Sequence, residues 1–181
     1  MPDGLKLGVQ ALAVSAVSLL ATLLVWHLTH QPPPPKVGAP APQFSLPRLE
    51  GSGEVSLTSL RGKTVVLNFF ASWCNPCKRE APALEHLWRQ DRSRGLVVLG
   101  VDANDSRGDA RRFVQVHGVT YPVVFDHDAV VAADQYAVAN LPVTYVLNPN
   151  GRIVGGQILG PISEQAHSQA LSRYVHAALQ S

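Results

Sequence analysis

Cysteine is scarce in this chain: its 181 residues include two, Cys74 and Cys77, and the single methionine is the first residue. A structural zinc site needs four ligands, and neither a second cysteine pair nor a neighbouring histidine pair completes such a set. Covalent c-type haem needs histidine directly after the second cysteine, where this chain has Lys78. A purely structural disulfide across two residues gains little chain entropy. The pattern therefore predicts redox chemistry.

Charged residues are absent from residues 7–35. Residues 8–28 are almost all apolar, and a helix of that length spans roughly 30 Å, enough for a bilayer core. Trp26 suits the headgroup interface. A cleaved signal peptide has a shorter apolar core that ends in a small-x-small site, and no such site lies close to the end of this apolar run. We therefore expect residues 1–30 to be an uncleaved membrane anchor, with Lys6 and the amino terminus on the cytoplasmic side.

Net charge is also low, at +2, and there is no basic cluster, so nothing favours nucleic-acid binding. Proline, in contrast, concentrates in residues 31–42, which contain six prolines in twelve positions. Such a stretch forms neither helix nor sheet ladder, and we expect an extended linker there. Residues 43–181 then have the length of one globular domain.

The cysteine pair lies between a predicted strand and a predicted helix. Residues 64–70 are apolar and rich in β-branched side chains, and residues 78–90 carry apolar side chains at helical spacing. The unpaired N–H groups and the dipole of a helix N-terminus favour a thiolate, and Pro76 suits its first turn. We expect Cys74 to be the exposed nucleophilic thiolate and Cys77 the buried thiol that resolves a mixed disulfide.

The residues around this pair resemble the TlpA/ResA type of membrane-tethered thiol–disulfide oxidoreductase in the thioredoxin superfamily. The stretches that carry the resemblance are Phe44-Ser-Leu-Pro-Arg-Leu-Glu-Gly, Val55-Ser-Leu-Thr-Ser-Leu-Arg-Gly-Lys and Val66-Leu-Asn-Phe-Phe-Ala-Ser-Trp-Cys. A second signature follows in Leu141-Pro-Val-Thr and Asn148-Pro-Asn-Gly-Arg-Ile. The resemblance extends from about Ala39 to about Leu179, most of the chain.

This resemblance implies an α/β fold: a thioredoxin-like three-layer sandwich with an N-terminal hairpin and a central insert, preceded by one transmembrane helix. The patterning agrees, because a second buried strand at residues 96–101 would lie parallel to the first across the redox helix. We expect the remaining elements to be a hairpin around residues 51–53, a helix from Asp105 or Ser106 to about His117, a strand at 121–125, a helix at 129–136, a hairpin of 143–147 with 152–159, and a last helix capped by Ser163.

Two residues near the pair define its acid–base chemistry in this resemblance. Asn68 occupies the position where thioredoxin carries a buried acid, and an amide cannot take a proton. Glu80 is the candidate substitute, since it lies three residues after Cys77 on the same helix face. If buried, its pKa rises and it accepts the proton of Cys77. The alternative is a solvated glutamate beside its cationic neighbours.

Three further residues are predicted to bind substrate. Trp73 is either half-buried packing or part of the docking surface that the family uses. The resemblance implies a cis bond before Pro142, opposite the cysteines, and a Leu141 backbone that pairs with an extended substrate segment. No cofactor is expected besides the redox-active disulfide Cys74–Cys77.

The function implied by the resemblance is reduction of disulfides in envelope proteins. Clients would be Cys-containing periplasmic proteins such as apocytochrome c, electrons would come from a membrane thiol reductant, and the catalytic domain would lie on the periplasmic side of the cytoplasmic membrane. A disulfide-forming oxidase is the alternative within the same class. A thioredoxin-fold copper chaperone or assembly module is the alternative from another class, because thiolates suit Cu(I).

Overall fold

The computed structural model describes residues 3–29 and 33–181, and the chain divides into two compact units, Met1–Pro32 and Pro33–Ser181. Helix α1, Asp3–Thr29, forms the first unit. Its segment Gly8–Trp26 has a mean hydropathy of 2.0 and exposes its apolar side chains, so it is long and apolar enough to cross a membrane once. This agrees with the predicted single-pass anchor.

The second unit is built on a five-stranded sheet in the order β5-β4-β3-β6-β7. Strands β3, β4 and β5 are parallel, and β6 runs antiparallel to β3. All seven residues of β3 are buried, which matches its uninterrupted apolar sequence. The strands are β3 Thr64–Phe70, β4 Leu96–Ala103, β5 Val123–Asp126, β6 Val143–Leu147 and β7 Ile158–Leu159.

Three helices cover one face of this sheet, and a hairpin with a short helical turn covers the other. The helices are α2 Asn75–Asp91, α3 Arg107–Val116 and α4 Gln165–Leu179. The hairpin joins β1 Ser45–Pro47 to β2 Glu54–Ser56, and the turn is a π-helical segment, Val131–Gln135. The predicted three-layer sandwich with an N-terminal hairpin and central insert is therefore confirmed.

The predicted starts of helices α2 and α4 are wrong, and the strand predicted at 121–125 and the helix predicted at 129–136 are found at Val123–Asp126 and Val131–Gln135. Helix α2 begins at Asn75, three residues before the predicted start, and it continues through Pro82. Helix α4 begins at Gln165, and its N-cap is Glu164, whose side chain makes no capping bond, so Ser163 is not the cap. In both cases periodicity located the helix, but backbone bonding determined its first turn.

The predicted second hairpin is interrupted. Only Ile158–Leu159 of the expected arm 152–159 pairs as a strand with β6, while Ile153 forms a single bridge to Leu147. The bonds left by Arg152 and Ile153 go instead to the segment before the domain: Arg152 bridges Pro40, and Ile153 exchanges backbone bonds with Gly38 and Ala39. Residues from Gly38 onward, predicted as linker, therefore contact the domain.

Candidate redox site

The sulfur of Cys74 lies at the N-terminus of helix α2. Cys74 is the N-cap residue, and its Sγ accepts a hydrogen bond of 3.2 Å from the backbone N–H of Cys77. Pro76 occupies the first turn, where its missing N–H leaves no internal bond unmade. In the dithiol, this amide and the positive end of the helix dipole stabilise a Cys74 thiolate.

The two cysteines form a disulfide with an S–S distance of 2.05 Å. Cys74 is 4% exposed and Cys77 is 1% exposed, and both belong to the core cluster on the helical face of the sheet. The prediction of an exposed Cys74 is therefore wrong for the disulfide form, because neighbouring apolar side chains cover the pair. The predicted order is retained, since Cys74 is the more accessible of the two.

Glu80 is buried in the helical layer and not solvated. Its side chain is 1% exposed, and its carboxylate accepts hydrogen bonds of 2.9 Å from the Asn68 amide and 2.9 Å from the Ile162 backbone N–H. Burial raises the pKa of Glu80 to about 7, while these two bonds and the charge of His167 act in the opposite direction. A pKa near neutrality suits a group that accepts a proton and returns it.

Asn68 connects Glu80 to the sheet. Its side-chain amide donates to Glu80 and also, at 3.0 Å, to the hydroxyl of Thr144, its register partner on β6. At the position where thioredoxin has a buried acid, this chain thus has an amide that orients the acid Glu80. Neither Thr144 nor the Ile162 amide was among the predicted site residues. Thr144 is a buried polar residue in an apolar strand, a signal that was present, whereas a backbone donor leaves no trace in sequence.

Trp73, which directly precedes Cys74 in the chain, and Leu141 line a groove of about 280 Å³. Trp73 is 57% exposed, and its indole N–H donates to the Asn104 carbonyl at 2.9 Å, which holds the ring at the surface. Leu141 also packs against the core cluster that contains both cysteines. The indole ring is thus exposed in a groove, and the part of Trp73 in docking stays a prediction.

Pro142 lies at the end of the sheet where the cysteine loop begins. The pairing of Phe69 with Val143 places Pro142 at the edge where β3 ends, and the Leu141–Pro142 bond is cis, as expected. Within the described residues, no three His, Cys, Asp or Glu side chains are grouped as metal ligands. Cys74 and Cys77 are the chain's two thiol donors.

The loop after β4 holds the loop before the cysteines. A side-chain oxygen of Asp105 accepts a hydrogen bond from the backbone N–H of Ser72, two residues before Cys74. Asp105 was predicted only as a possible helix cap, and the residue that caps α3 is Ser106. Strands β3 and β4 are parallel neighbours, so the loops at their carboxyl ends meet at one edge of the sheet.

Comparisons with known proteins agree with this architecture. The chain is 38% identical over 117 residues to the thiol-disulfide oxidoreductase ResA of Bacillus subtilis (strain 168), covering 65% of this chain and 64% of that protein. It is 39% identical over 118 residues to ResA of Geobacillus thermodenitrificans (strain NG80-2), covering 65% and 66%. The matched region is therefore just under two thirds of the length of these relatives.

Solved structures give the same result for the fold. The chain superimposes on a thiol:disulfide interchange protein of the thioredoxin family from Chlorobium tepidum TLS with a TM-score of 0.67 at 28% identity, covering 80% of this chain and 98% of that one. The TM-score to a secreted thiol-disulfide isomerase from Corynebacterium glutamicum is 0.68 at 25% identity, covering 78% and 86%.

Sheet order, layer arrangement and the cysteine pair at the start of α2 define a thioredoxin-like protein with a dithiol–disulfide site. Within that class, the family match spans residues 37–155. The chain belongs to the AhpC/TSA family, with curated relatives named ResA.

Proposed function

We propose that this chain is a membrane-anchored thiol–disulfide oxidoreductase that reduces disulfides in client proteins. The observation that carries the proposal is the combination of a cysteine sulfur at the amide-lined start of α2 with a buried Glu80 three residues beyond its partner. The start of α2 stabilises a Cys74 thiolate, which is the nucleophile, and Glu80 can accept the proton of Cys77. Disulfide exchange requires both a thiolate nucleophile and a proton acceptor.

In the first step, the Cys74 thiolate attacks one sulfur of a client disulfide. A new S–S bond joins Cys74 to the client, the client's own S–S bond breaks, and the departing sulfur takes a proton. In the second step, the Cys77 thiol loses its proton to Glu80 and attacks the Cys74 sulfur. The client leaves as a dithiol carrying two electrons and two protons, and Cys74–Cys77 remains as the disulfide.

Client binding is assigned to Trp73, Leu141 and Pro142. An extended client segment would lie in the groove beside the exposed indole and pair with the Leu141 backbone, which brings its disulfide toward Cys74. The groove, the exposed ring and the position of Pro142 at the same sheet edge support this assignment.

The direction of electron flow follows from how far the reduced form is stabilised. Asn75 is uncharged, Pro76 has no N–H to donate, and Glu80 opposes ionisation of its neighbour, so thiolate stabilisation is moderate and the pair is a reductant. Lys78 adds little, because its ammonium is exposed and donates to Asn75 at 3.1 Å. An equilibrium potential below about −150 mV is expected, and a higher one would favour the disulfide-forming oxidase.

The placement in the cell is part of the proposal. Helix α1 would anchor the chain in the cytoplasmic membrane with the catalytic domain on the extracytoplasmic side. Electrons would come from a membrane thiol reductant, since a reductant is exhausted in an oxidising envelope unless resupplied. The proposed clients are Cys-containing envelope proteins, apocytochrome c among them. The proposed division is an anchor at 1–30, a linker at 31–42 whose residues from Gly38 onward already bond to the domain, and a domain at 43–181.

The experiment is capture of clients on a Cys77→Ser variant, which completes the first step and cannot resolve it. Mixed disulfides should accumulate on Cys74 and release defined proteins on reduction, whereas the matched Cys74→Ser variant should capture none. Equal capture by both variants would refute the assignment of roles. A chain that reduces no disulfide but binds Cu(I) through both thiols would support the copper chaperone instead.

A further inference from the structure

Asp102 is a buried acid that the proposed reaction does not use. It lies near the end of β4 with 0% of its surface exposed, and neither carboxyl oxygen accepts a hydrogen bond from a donor among the residues that the structure describes. Its register partners are Phe70 on β3 and Phe125 on β5, two aromatic residues of the helical-face core. An isolated carboxylate in such surroundings is strongly disfavoured relative to the neutral acid.

Two other carboxyl groups act electrostatically on Asp102, namely Asp105 in the loop after β4 and Asp126, the register partner of Ala103, on the other face of the sheet. Both are held as hydrogen-bond acceptors. Asp105 accepts from the backbone N–H groups of Ser72 and Ser106. Asp126, 4% exposed, accepts from the N–H groups of Val131 at 3.3 Å and Ala132 at 2.8 Å. The oxygens of both carboxyl groups are therefore occupied by backbone donors of the neighbouring loops.

The remaining charged groups near this cluster do not neutralise Asp102. Arg107 lies over the ring of Phe125, 4.5 Å from its centroid, and its guanidinium donates to the Arg48 and Leu49 carbonyls. His127 contacts the backbone oxygen of Asp105 and lies 3.9 Å from the exposed Asp128. Burial raises the pKa of Asp102 to about 8, together with the charge of Asp105, a hydrogen bond to Asp105 that favours the protonated acid, and the charge of Asp126.

The cluster is directly connected to the cysteine loop. The Asp105 bond to Ser72 and the Trp73 bond to the Asn104 carbonyl both join the β4 loop to the two residues before Cys74. Asn104 has a φ of 55°, an uncommon conformation for a residue other than glycine, which is maintained by surrounding contacts. Any movement of Asp105 would therefore change the position of the cysteine loop.

We propose that Asp102 is a positioning residue: as a neutral carboxylic acid it allows Asp105 to hold the Ser72 amide, and its ionisation releases the loop that carries Cys74. The sign follows from charge. As pH rises through about 8, a third negative charge appears beside Asp105 and Asp126 and repels both. The effect on exchange rate rests on the proposed function, whereas the effect on the loop does not.

The test uses the oxidised full-length chain in detergent micelles, where neither cysteine titrates. The Ser72 amide and the Trp73 indole N–H signals are followed by nuclear magnetic resonance as pH is raised. Both should shift with an inflection near pH 8 in the wild type. Asp102→Asn preserves the shape and the neutral state, so its signals should remain at their low-pH positions and show no such inflection.

Glu80→Gln is the matched control, because Glu80 is the other buried acid of the domain with a raised pKa, of about 7. It should retain the inflection near pH 8. The carboxyl carbon resonance of Asp102 in the wild type measures its ionisation without any substitution. The proposal would be overturned if the wild type showed no inflection, or if the inflection survived in Asp102→Asn or disappeared in Glu80→Gln. It would also be overturned by an Asp102 carboxyl that is already ionised at neutral pH.

A rate measurement shows whether the positioning affects exchange. Exchange by the reduced wild type should fall several-fold, relative to Asp102→Asn, above about pH 8. Identical profiles, with the structural inflection present, would overturn the link to exchange while leaving the proposed function intact. Loss of all exchange in both proteins would contradict the proposed function and leave the loop result unaffected.

Discussion

Glu80 has opposing influences on its charge, and their balance determines its chemistry. Removal from water favours the protonated acid, while the Asn68 amide and the Ile162 N–H favour the carboxylate. The result is a pKa of about 7. This value is close to the ordinary thiol pKa of about 8.5, so transfer of a proton from Cys77 to Glu80 costs little free energy. A solvated glutamate would be a weaker base for Cys77, and a fully unpartnered one would remain protonated.

Replacing Glu80 with Gln should slow the resolving step selectively. A symmetrical aryl disulfide releases one coloured thiol when Cys74 attacks and the second when Cys77 resolves, so rapid mixing separates the two steps. We expect the second release to slow about a hundredfold near neutral pH, because general base catalysis is lost, with the first release nearly unchanged. The second release should also lose its rise through about pH 7.

Glu85→Gln provides the control for this substitution. Glu85 is also a buried glutamate on α2, but it bonds to Thr120 and Arg89, away from the cysteines. Its substitution should change stability and leave both releases at wild-type rates. If Glu80→Gln also releases both thiols at wild-type rates, Glu80 has a purely structural role.

At the scale of residues, the sequence predicted a site residue whose neighbour is close in the chain. It missed residues whose neighbours are brought near only by strand pairing. Glu80 follows from its distance to Cys77 along one helix. Thr144 and Asp102 acquire their neighbours only when β6 and β4 pair with β3, and such pairing brings together residues far apart in the chain. The burial of the Cys74 sulfur was missed for the same reason, because the surrounding core draws on several elements.

At the scale of elements, the segment between β6 and α4 departs most from prediction, and Gly155 explains part of its path. Gly155 has a φ of 73°, in the left-handed region, and a Cβ added there would lie 2.3 Å from the ring of Tyr174 on α4. The chain leaves β6 after the Ile153 bridge and passes tightly over this ring before it pairs again at Ile158. Alternation of apolar residues predicts a continuous strand and contains no information about this crossing.

Gly155→Ala should therefore destabilise the domain by about 2 kcal/mol or more, from the left-handed backbone and the displaced ring together. Gly156→Ala is the matched control, since an added Cβ there meets no atom within 4 Å. It should change the free energy of unfolding by less than about 1 kcal/mol. Urea denaturation of the two variants measures the difference, and equal effects would show that the Tyr174 contact does not constrain this segment.

At the scale of the whole molecule, the two units were predictable to different degrees. The span Gly8–Trp26 follows from composition and length alone. The order of the domain's main elements also followed, because parallel strands joined through a helix leave few topologies. The N-terminal limit of the domain could not be predicted. Gly38 and Ala41 have the composition of the linker, but their backbone N–H groups donate to the carbonyls of Ile153 and Gly151 in the domain.

The buried acids also determine how the stability of the domain depends on pH. Glu80 and Asp102 have folded pKa values of about 7 and about 8, above their ordinary values of 4.5 and 3.8. Between those limits the folded state binds more protons than the unfolded chain, so the free energy of unfolding must fall as pH rises. Glu85, whose pKa is lowered, contributes in the opposite sense only at more acidic pH.

We therefore expect the oxidised protein to lose stability between about pH 5 and pH 8, by up to about 1.4 kcal/mol per pH unit from each of the two groups. Urea denaturation in mild detergent, followed by near-ultraviolet circular dichroism, reports aromatic packing in the domain.

Asp102→Asn should be more stable than wild type near neutral pH, by about 2 to 4 kcal/mol, because the cost of keeping an acid protonated is removed. The double variant with Glu80→Gln should show a nearly flat profile over this range. Stability that rises with pH, or a slope unchanged in the double variant, would mean that both carboxyl groups are ionised in the folded protein, and the proton transfer assigned to Glu80 would then lack its basis.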